Sequence, residues 1–208
     1  MPIFFQQQVN ADTRLGIWKI EETEAFFRAN VPVHRDVTHP HKRLQHLAGR
    51  FLLQFLFPDF PYELIQVADT RKPFLPDEEY HFSISHCGDY AAAIVSGTIR
   101  AGIDVEIPGS RIGRIREKFL SPEEIDLFQV TGETEDIMQK LTLLWSAKEA
   151  VFKWYGEGKV DFSEQIRLTG LDSENRLINC HFTKTDSRLH IHYGEFDNLK
   201  LAWVTDAD

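Results

Sequence analysis

The sequence has little cysteine and no apolar run long enough to cross a membrane. Its 2 cysteines, Cys87 and Cys180, lack the close spacing of a metal-binding or redox pair, as expected for a reducing compartment. The most apolar windows, which begin at Phe51 and Ala91, are far shorter than the ~20 residues that span a bilayer. The N-terminal stretch MPIFFQQQVN also lacks the charged and apolar regions of a signal peptide. We therefore expect a cytoplasmic protein without a membrane segment.

Basic residues are also scarce. The 208-residue chain carries 23 Lys and Arg against 32 Asp and Glu, a formal net charge of −9. This balance opposes a role in sequence-independent nucleic-acid binding, which requires cations that neutralise phosphates. Hydrophobic residues at 42% and charged residues at 26% are typical of a folded globular protein, so extensive disorder is excluded as well.

Strand-like and helix-like patterns occur in blocks rather than as regular βαβ units. The predicted strands lie within 3–20, 81–107 and 165–204, and the predicted helices at 21–30, after Pro40, and at 111–120, 121–130 and 134–155. Mixed blocks of this kind predict an α+β fold with largely antiparallel sheets. Pro108-Gly109-Ser110 is the best candidate boundary, which predicts an N-terminal α+β half over 1–107 and a C-terminal α+β half over 108–208.

Two stripes of residues at helical spacing follow Pro40. The first is apolar and predicts the helix face that packs on the core: Leu44, Leu47, Phe51 and Phe55. The second is polar: Arg43, His46 and Arg50. A polar stripe is most often a face in water, and the alternative is a functional surface.

Asp104 and Glu106 lie in a predicted strand over 102–107. Because side chains alternate across a strand, both carboxylates project from one face while Ile103 and Val105 turn to the other. Neighbouring carboxylates need a cation, and Mg²⁺ suits them because it binds one or two carboxylates together with substrate phosphates. Taken alone, the pattern is more often an exposed strand face with unpaired acids.

Glu149 and Lys153 stand one turn apart on the last predicted helix. The glutamate would complete a metal site, and the lysine would hold a phosphate as a point charge. Taken alone, the two residues are better explained as an i,i+4 ion pair at the surface. Ser85-His86 ends a predicted strand without the G-x-S-x-G context of a nucleophilic-serine hydrolase.

Three segments gain meaning when they are considered together: Phe82-Ser83-Ile84-Ser85-His86, Gly102-Ile103-Asp104-Val105-Glu106 and Trp145-Ser146-Ala147-Lys148-Glu149-Ala150-Val151-Phe152-Lys153. Weaker matches are Lys42-Arg43, Ala48-Gly49-Arg50 and Arg71-Lys72-Pro73, in which Arg71 replaces a usual glycine. In this order and at these separations, they resemble the 4′-phosphopantetheinyl transferase superfamily, specifically its long, surfactin-synthetase-activating (Sfp-like) class. The resemblance covers roughly residues 40–160.

The resemblance implies two similar α+β halves related by a pseudo-twofold axis. The implied reaction transfers the 4′-phosphopantetheine arm of coenzyme A to a serine of an apo acyl or peptidyl carrier protein and releases adenosine 3′,5′-bisphosphate. It also implies a monomeric enzyme that requires Mg²⁺. From the net charge and the short apolar runs, we expect neither nucleic acid nor a membrane as a partner.

The resemblance also implies roles for individual side chains. Asp104, Glu106 and Glu149 would hold Mg²⁺ on the pyrophosphate, Glu149 would also act as the general base for the carrier serine, and Lys153 would neutralise a pyrophosphate oxygen. The other implied coenzyme contacts are His86 and Arg43 at the 3′-phosphate, and Lys72, Pro73 and Ser85 around the adenine nucleotide.

Glu124 has two interpretations. It follows Ser121-Pro122 as in a capping box with proline at the first helical position, and it also stands at an acidic position of the family. Two other functions remain open. One is a divalent-metal phosphohydrolase, because carboxylate clusters also serve two-metal chemistry, and the other is a non-catalytic domain that binds coenzyme A or a carrier protein.

Overall fold

The computed structural model describes residues 3–31, 37–70 and 72–206, so Arg71 lies outside the described residues. The chain forms two compact units, Met1–Ala101 and Gly102–Asp208. This division precedes Asp104 and Glu106, whereas the predicted boundary between residues 107 and 108 follows them. Helices and sheets occur in both units, which confirms the α+β class. Among the described residues, no helix is long and apolar enough to span a membrane.

The first unit is built on a four-stranded antiparallel sheet. Its elements are β1 (Ile3–Asn10), β2 (Thr13–Lys19), α1 (Glu24–Asn30), α2 (Pro40–Leu56), a 3₁₀ turn (Tyr62–Leu64), β3 (Gln66–Val67), β4 (Pro73–Phe74), β5 (His81–Cys87) and β6 (Tyr90–Ser96). The strand order in the main sheet is β1-β2-β6-β5, and β3 pairs with β4 separately. The strands predicted within 3–20 are confirmed as β1 and β2, and those predicted in the first part of 81–107 are confirmed as β5 and β6.

Helix α2 packs on this sheet along a wider apolar face than the predicted stripe. Leu47 is buried as expected, and so are three further leucines of the helix: Leu52, Leu53 and Leu56. Phe51 and Phe55 instead lie beside Trp18, with ring centroids 5.0 and 5.4 Å from the indole. The rings extend the core beyond the leucines, since edge-to-face aromatic pairs add to area burial.

The second unit is built on a five-stranded sheet. Its elements are β7 (Ala101–Glu106), α3 (Arg111–Ile115), a 3₁₀ turn (Arg116–Lys118), α4 (Pro122–Phe128), α5 (Glu135–Tyr155), α6 (Phe162–Gln165), β8 (Ile166–Asp172), β9 (Leu177–Phe182), β10 (Ser187–Phe196) and β11 (Leu199–Thr205). The strand order is β7-β11-β10-β9-β8, and the pairs from β8 through β11 are antiparallel. The helix predicted over 111–120 is shorter than expected, because α3 gives way to the 3₁₀ turn after Ile115.

Helix α5 lies against the sheet so closely that its backbone meets β7. An added Cβ at Gly102 would stand 2.1 Å from the Ala150 carbonyl oxygen and 2.6 Å from the Trp154 amide nitrogen. Only glycine allows this approach. Because side chains alternate along a strand, Asp104 shares the face of Gly102 and turns toward α5.

Candidate functional site

Strand β7 and helix α5 bring together Asp104, Glu106, Glu149 and Lys153, here called the carboxylate–lysine cluster. Lys153 Nζ donates a hydrogen bond to Asp104 Oδ1 at 2.6 Å. Asp104 is only 2% exposed. The strand face is therefore not an exposed acidic surface, and the lysine pairs across to β7 instead of serving a simple pair along its own helix.

The cluster has a strong electrostatic effect on Glu149. The pKa of Glu149 is raised to about 7, chiefly by burial and then by the negative charge of Asp104, with a smaller contribution from Glu106 and with Lys153 opposing the rise. One lysine does not offset three acidic side chains. A carboxyl group with a pKa near neutrality is suited to accept and release a proton under physiological conditions.

The chemistry of the cluster fits a hard divalent cation. Three carboxylates supply the oxygen ligands that Mg²⁺ prefers, and their repulsion is relieved by added positive charge. In the part of the chain that the structure describes, no three His, Cys, Asp or Glu side chains converge as they stand into a metal-binding group. The cluster therefore fits Mg²⁺ in the type of its donor atoms and in its negative charge. To bind the ion, the side chains would have to turn toward it.

Glu124 has a structural role. Its Oε2 accepts the Ser121 amide at 2.8 Å, and its backbone amide bonds to Ser121 Oγ at 3.3 Å, which is the predicted capping box. Oε2 also pairs with Lys148 Nζ at 2.7 Å, and Oε1 accepts the Leu168 amide at 2.7 Å. Glu124 is 3% exposed, and both of its carboxylate oxygens accept hydrogen bonds from within the fold. The helix-cap interpretation is therefore correct.

In the first unit, α2 lies tightly against β5. An added Cβ at Gly49 would stand 2.6 Å from Ile84 Cγ2, so a larger residue would push the helix away. Ser85, next to Ile84, is buried, and His86 is exposed at the end of the strand. The His46 and His86 ring centroids lie 6.4 Å apart. The close packing therefore places the polar stripe of α2 beside the predicted Ser-His segment.

Arg43 is held within the fold. Its Nε and Nη2 donate to the two carboxylate oxygens of Glu24 at 2.8 and 2.9 Å, and its Nη1 donates to the Val37 carbonyl at 2.6 Å. Hydrogen bonds from Arg43 and Arg28 lower the pKa of Glu24 to about 2. A bidentate contact of this kind links α1 to α2. The assignment of Arg43 to a phosphate stays a prediction. In this structure, its guanidinium binds Glu24 and the Val37 carbonyl.

The sequence did not predict a functional role for Arg50. It is only 7% exposed, and burial lowers its pKa. Within residues 3–31, 37–70 and 72–206, no carboxylate or hydrogen-bond acceptor compensates its guanidinium. A buried cation without such a partner is costly. The signal available in the sequence was its place in the stripe with Arg43 and His46, which left a face in water as the more common explanation.

Lys72 and Pro73 lie where the chain enters β4. Burial lowers the pKa of Lys72 to about 8, with a smaller contribution from the positive charge of Arg100. The Lys72 carbonyl accepts the Ala68 amide at 3.0 Å, and Pro73 pairs with Val67 in the short sheet. The backbone beside Lys72 is therefore fixed by β3 and β4.

Comparison with known proteins adds an independent finding. The model of the family described as the 4′-phosphopantetheinyl transferase superfamily matches residues 100–204, which contain the whole carboxylate–lysine cluster. A protein named enterobactin synthase component D from Escherichia coli strain K12 is 34% identical over 115 residues, 54% of this chain and 54% of the relative. A protein named putative 4′-phosphopantetheinyl transferase from Haemophilus influenzae is 34% identical over 106 residues, 48% of this chain and 43% of the relative.

A third relative is similar over more of its length. The protein named 4′-phosphopantetheinyl transferase AcpT from Escherichia coli O157:H7 is 25% identical over 167 residues, 79% of this chain and 76% of the relative. The chain spans about half the length of the enterobactin synthase relatives it matches, 54% for the Escherichia coli proteins. Because the matched residues 100–204 make up half of the 208-residue chain, the chain belongs to the 4′-phosphopantetheinyl transferase superfamily.

Proposed function

We propose that this protein is a 4′-phosphopantetheinyl transferase that moves the phosphopantetheine arm of coenzyme A to a serine of an apo acyl or peptidyl carrier protein. The observation that carries the proposal is the carboxylate–lysine cluster, where a buried aspartate, a glutamate of raised pKa and a lysine meet between β7 and α5. Membership in the superfamily supports it. Phosphoryl-type transfer needs positioning and charge neutralisation more than covalent help from the protein, and this cluster offers both.

The chemistry follows from the residues of the cluster. The serine hydroxyl oxygen attacks the phosphorus next to the pantetheine arm, a new P–O bond forms, and the bond to adenosine 3′,5′-bisphosphate breaks. Glu149 takes the hydroxyl proton on a carboxylate oxygen, and the leaving bisphosphate departs with the electron pair. Lys153 binds a pyrophosphate oxygen as a point charge. Asp104, Glu106 and Glu149 would hold Mg²⁺, which polarises the pyrophosphate when bound.

Coenzyme A recognition is assigned to the first unit. His86, Ser85, Lys72 and Pro73 are the proposed contacts to the nucleotide. Arg50 joins them, because its buried cation, which no described residue compensates, is the group in α2 best suited to a phosphate. Arg43 is also proposed as a phosphate contact, but after Arg50, because its guanidinium binds Glu24.

The proposed function also includes a class within the superfamily, a carrier-protein partner and a cytoplasmic location. We place the chain in the long, Sfp-like class with two similar halves, acting as a cytoplasmic monomer. An acidic carrier would meet a chain whose own charge is −9, so the docking surface needs local positive charge. Arg111, Arg114 and Lys118 are exposed at α3 and the following 3₁₀ turn, and they supply such charge.

One experiment separates the proposal from its alternatives. The protein is incubated with coenzyme A, Mg²⁺ and several apo carrier proteins, and the intact carrier mass is measured. We expect a gain of one phosphopantetheine arm that requires Mg²⁺. No gain on any carrier overturns the proposal. Hydrolysis of coenzyme A or of phosphate esters would then favour a phosphohydrolase, and binding without reaction would favour a non-catalytic domain.

Arg50→Met tests the proposed phosphate contact. Loss of a charge-assisted bond to phosphate is expected to raise KM for coenzyme A by about 10- to 100-fold, from roughly 1.5–3 kcal/mol. Thermal stability should stay unchanged or rise, because an uncompensated buried cation is removed. The matched control is Arg14→Met, since Arg14 donates to the Leu56 carbonyl at 3.0 Å and stacks on Phe57. It should lower stability and spare KM; the reverse pattern contradicts the assignment.

Lys72 gives a pH dependence with a defined direction. Its pKa of about 8 means that the charge needed to bind phosphate is lost as pH rises through that value, so kcat/KM for coenzyme A should fall there. Lys72→Arg keeps its charge and should flatten the profile. Folding stability should change oppositely: the buried charge is unfavourable below about pH 8, and this cost disappears between the folded value and the ordinary 10.5. Identical pH profiles for both proteins would exclude Lys72 from the coenzyme site.

A further inference from the structure

The turn between β5 and β6 is held by three separate hydrogen bonds. Gln45 Nε2 donates to the Gly88 carbonyl at 2.8 Å, His41 Nε2 lies 2.9 Å from Asp89 Oδ1, and the Ile20 amide donates to the Asp89 carbonyl at 2.7 Å. His41 and Gln45 are one helical turn apart, so both reach the turn from the same face of α2.

The Gln45 contact is the better shielded of the two side-chain bonds. Gln45 is 7% exposed, whereas the side chains of His41 and Asp89 are 45% and 69% exposed. A contact between two exposed side chains contributes little, because water competes with it and salt screens any charge. The Gln45 bond is part-buried, so water competes with it less, and its loss releases the carbonyl of the exposed Gly88 from α2.

This bond acts on the end of β5 that carries His86. His86 pairs with Ala91 across the hairpin and stands two residues before Gly88. His46 follows Gln45 directly and brings its ring centroid 6.4 Å from that of His86. A shift of the turn relative to α2 would therefore move the exposed imidazole of His86.

We propose that Gln45 is a positioning residue that fixes His86 for coenzyme A through the Gly88 carbonyl. The inference rests on the proposed function in one respect, the assignment of His86 to a coenzyme phosphate. Gln45 itself acts through the backbone and need not touch the ligand. Misplacement of a binding group weakens ground-state and transition-state binding alike, so the effect belongs in KM and not in kcat.

The test compares two glutamines on the same helix. Gln45→Met is expected to raise KM and Kd for coenzyme A by about tenfold, the effect of one lost hydrogen bond, with kcat within about twofold of wild type. The control is Gln54→Met, because Gln54 Oε1 accepts the Tyr62 hydroxyl at 3.2 Å far along α2. Gln54→Met should lower the stability of the fold and leave KM and Kd for coenzyme A unchanged. In NMR spectra, the His86 resonances should shift in the Gln45 variant alone.

The outcomes separate this inference from the proposed function. An unchanged Kd for coenzyme A in Gln45→Met, or an equal increase in Gln54→Met, overturns the positioning role. If Gln45→Met does not fold, Gln45→Glu keeps the shape, lacks the donor and should give the same loss of affinity. If the wild-type protein binds coenzyme A without transferring its arm, the proposed function fails while calorimetric Kd values still decide the role of Gln45.

Discussion

Glu149→Gln should abolish transfer to the carrier protein while the fold stays intact. The amide cannot take the proton of the serine hydroxyl, and general base catalysis alone accounts for roughly 10²–10⁴-fold in rate. Glu149 is also a proposed ligand of Mg²⁺, so the two losses combine and turnover should fall by at least about 10³-fold. Intact-mass measurement of the carrier over time gives the rate directly.

The same substitution should not destabilise the protein. Burial and the charges of Asp104 and Glu106 disfavour the ionised form of Glu149, with only Lys153 opposing them. A neutral side chain of the same shape removes that repulsion. Without divalent metal, in the presence of a chelator, the melting temperature of Glu149→Gln should equal or exceed that of wild type.

Activity and stability are thus expected to move independently, which identifies a functional residue. The matched control is Glu164→Gln, an exposed glutamate of the same unit that lies 3.7 Å from Arg167. It should change neither quantity appreciably. Near-wild-type turnover in Glu149→Gln would remove Glu149 from both proposed roles, whatever its stability.

The elements that sequence reasoning predicted well are those specified by neighbours in the chain. Helix α5 begins after the N-cap Thr134 and ends at Gly156, and Ser121 and Glu124 form the expected capping box. Capping residues act within one helical turn, so their pattern is readable locally. The break after Ile115 was missed because the 3₁₀ turn still carries helix-forming residues.

The features that could not be predicted depend on which residues meet across the fold. Lys153 is one turn from Glu149 in sequence, yet it pairs with the carboxylate of Asp104 on β7. The pattern of α2 does not reveal that Arg50 is buried while Arg43 binds Glu24. Periodicity places residues on one face of a helix, but it does not state whether that face meets water, a strand or a ligand.

Lys148 is the residue of the third motif whose loss should cost the most stability. Its side chain is fully buried and donates to Glu124 Oε2 at 2.7 Å and to the Phe162 carbonyl at 2.8 Å. Burial lowers the pKa of Lys148, and Glu124 opposes that change. Through Glu124, which accepts the Leu168 amide, the pair joins α4, α5 and β8.

Lys148→Met should therefore reduce the free energy of unfolding by about 3–5 kcal/mol, because a buried carboxylate loses its counter-ion. Urea denaturation at neutral pH measures this change in the free energy of unfolding. Lys140→Met is the matched control on α5, since Lys140 donates to the Phe128 carbonyl at 2.9 Å and pairs with no carboxylate among the described residues. Its cost should stay near 1 kcal/mol.

The double variant Glu124→Gln with Lys148→Met tests whether the two side chains stabilise the fold as a pair. Neutralising both partners removes the unpaired charge, so part of the stability lost in Lys148→Met should return, and the double-mutant cycle should give a coupling energy above about 1 kcal/mol. The folded double variant should still transfer phosphopantetheine, since Glu149 and not Glu124 is the proposed base. Additive losses of stability would contradict the coupling between Glu124 and Lys148. A folded but inactive double variant with Glu149 in place would instead return Glu124 to the catalytic candidates.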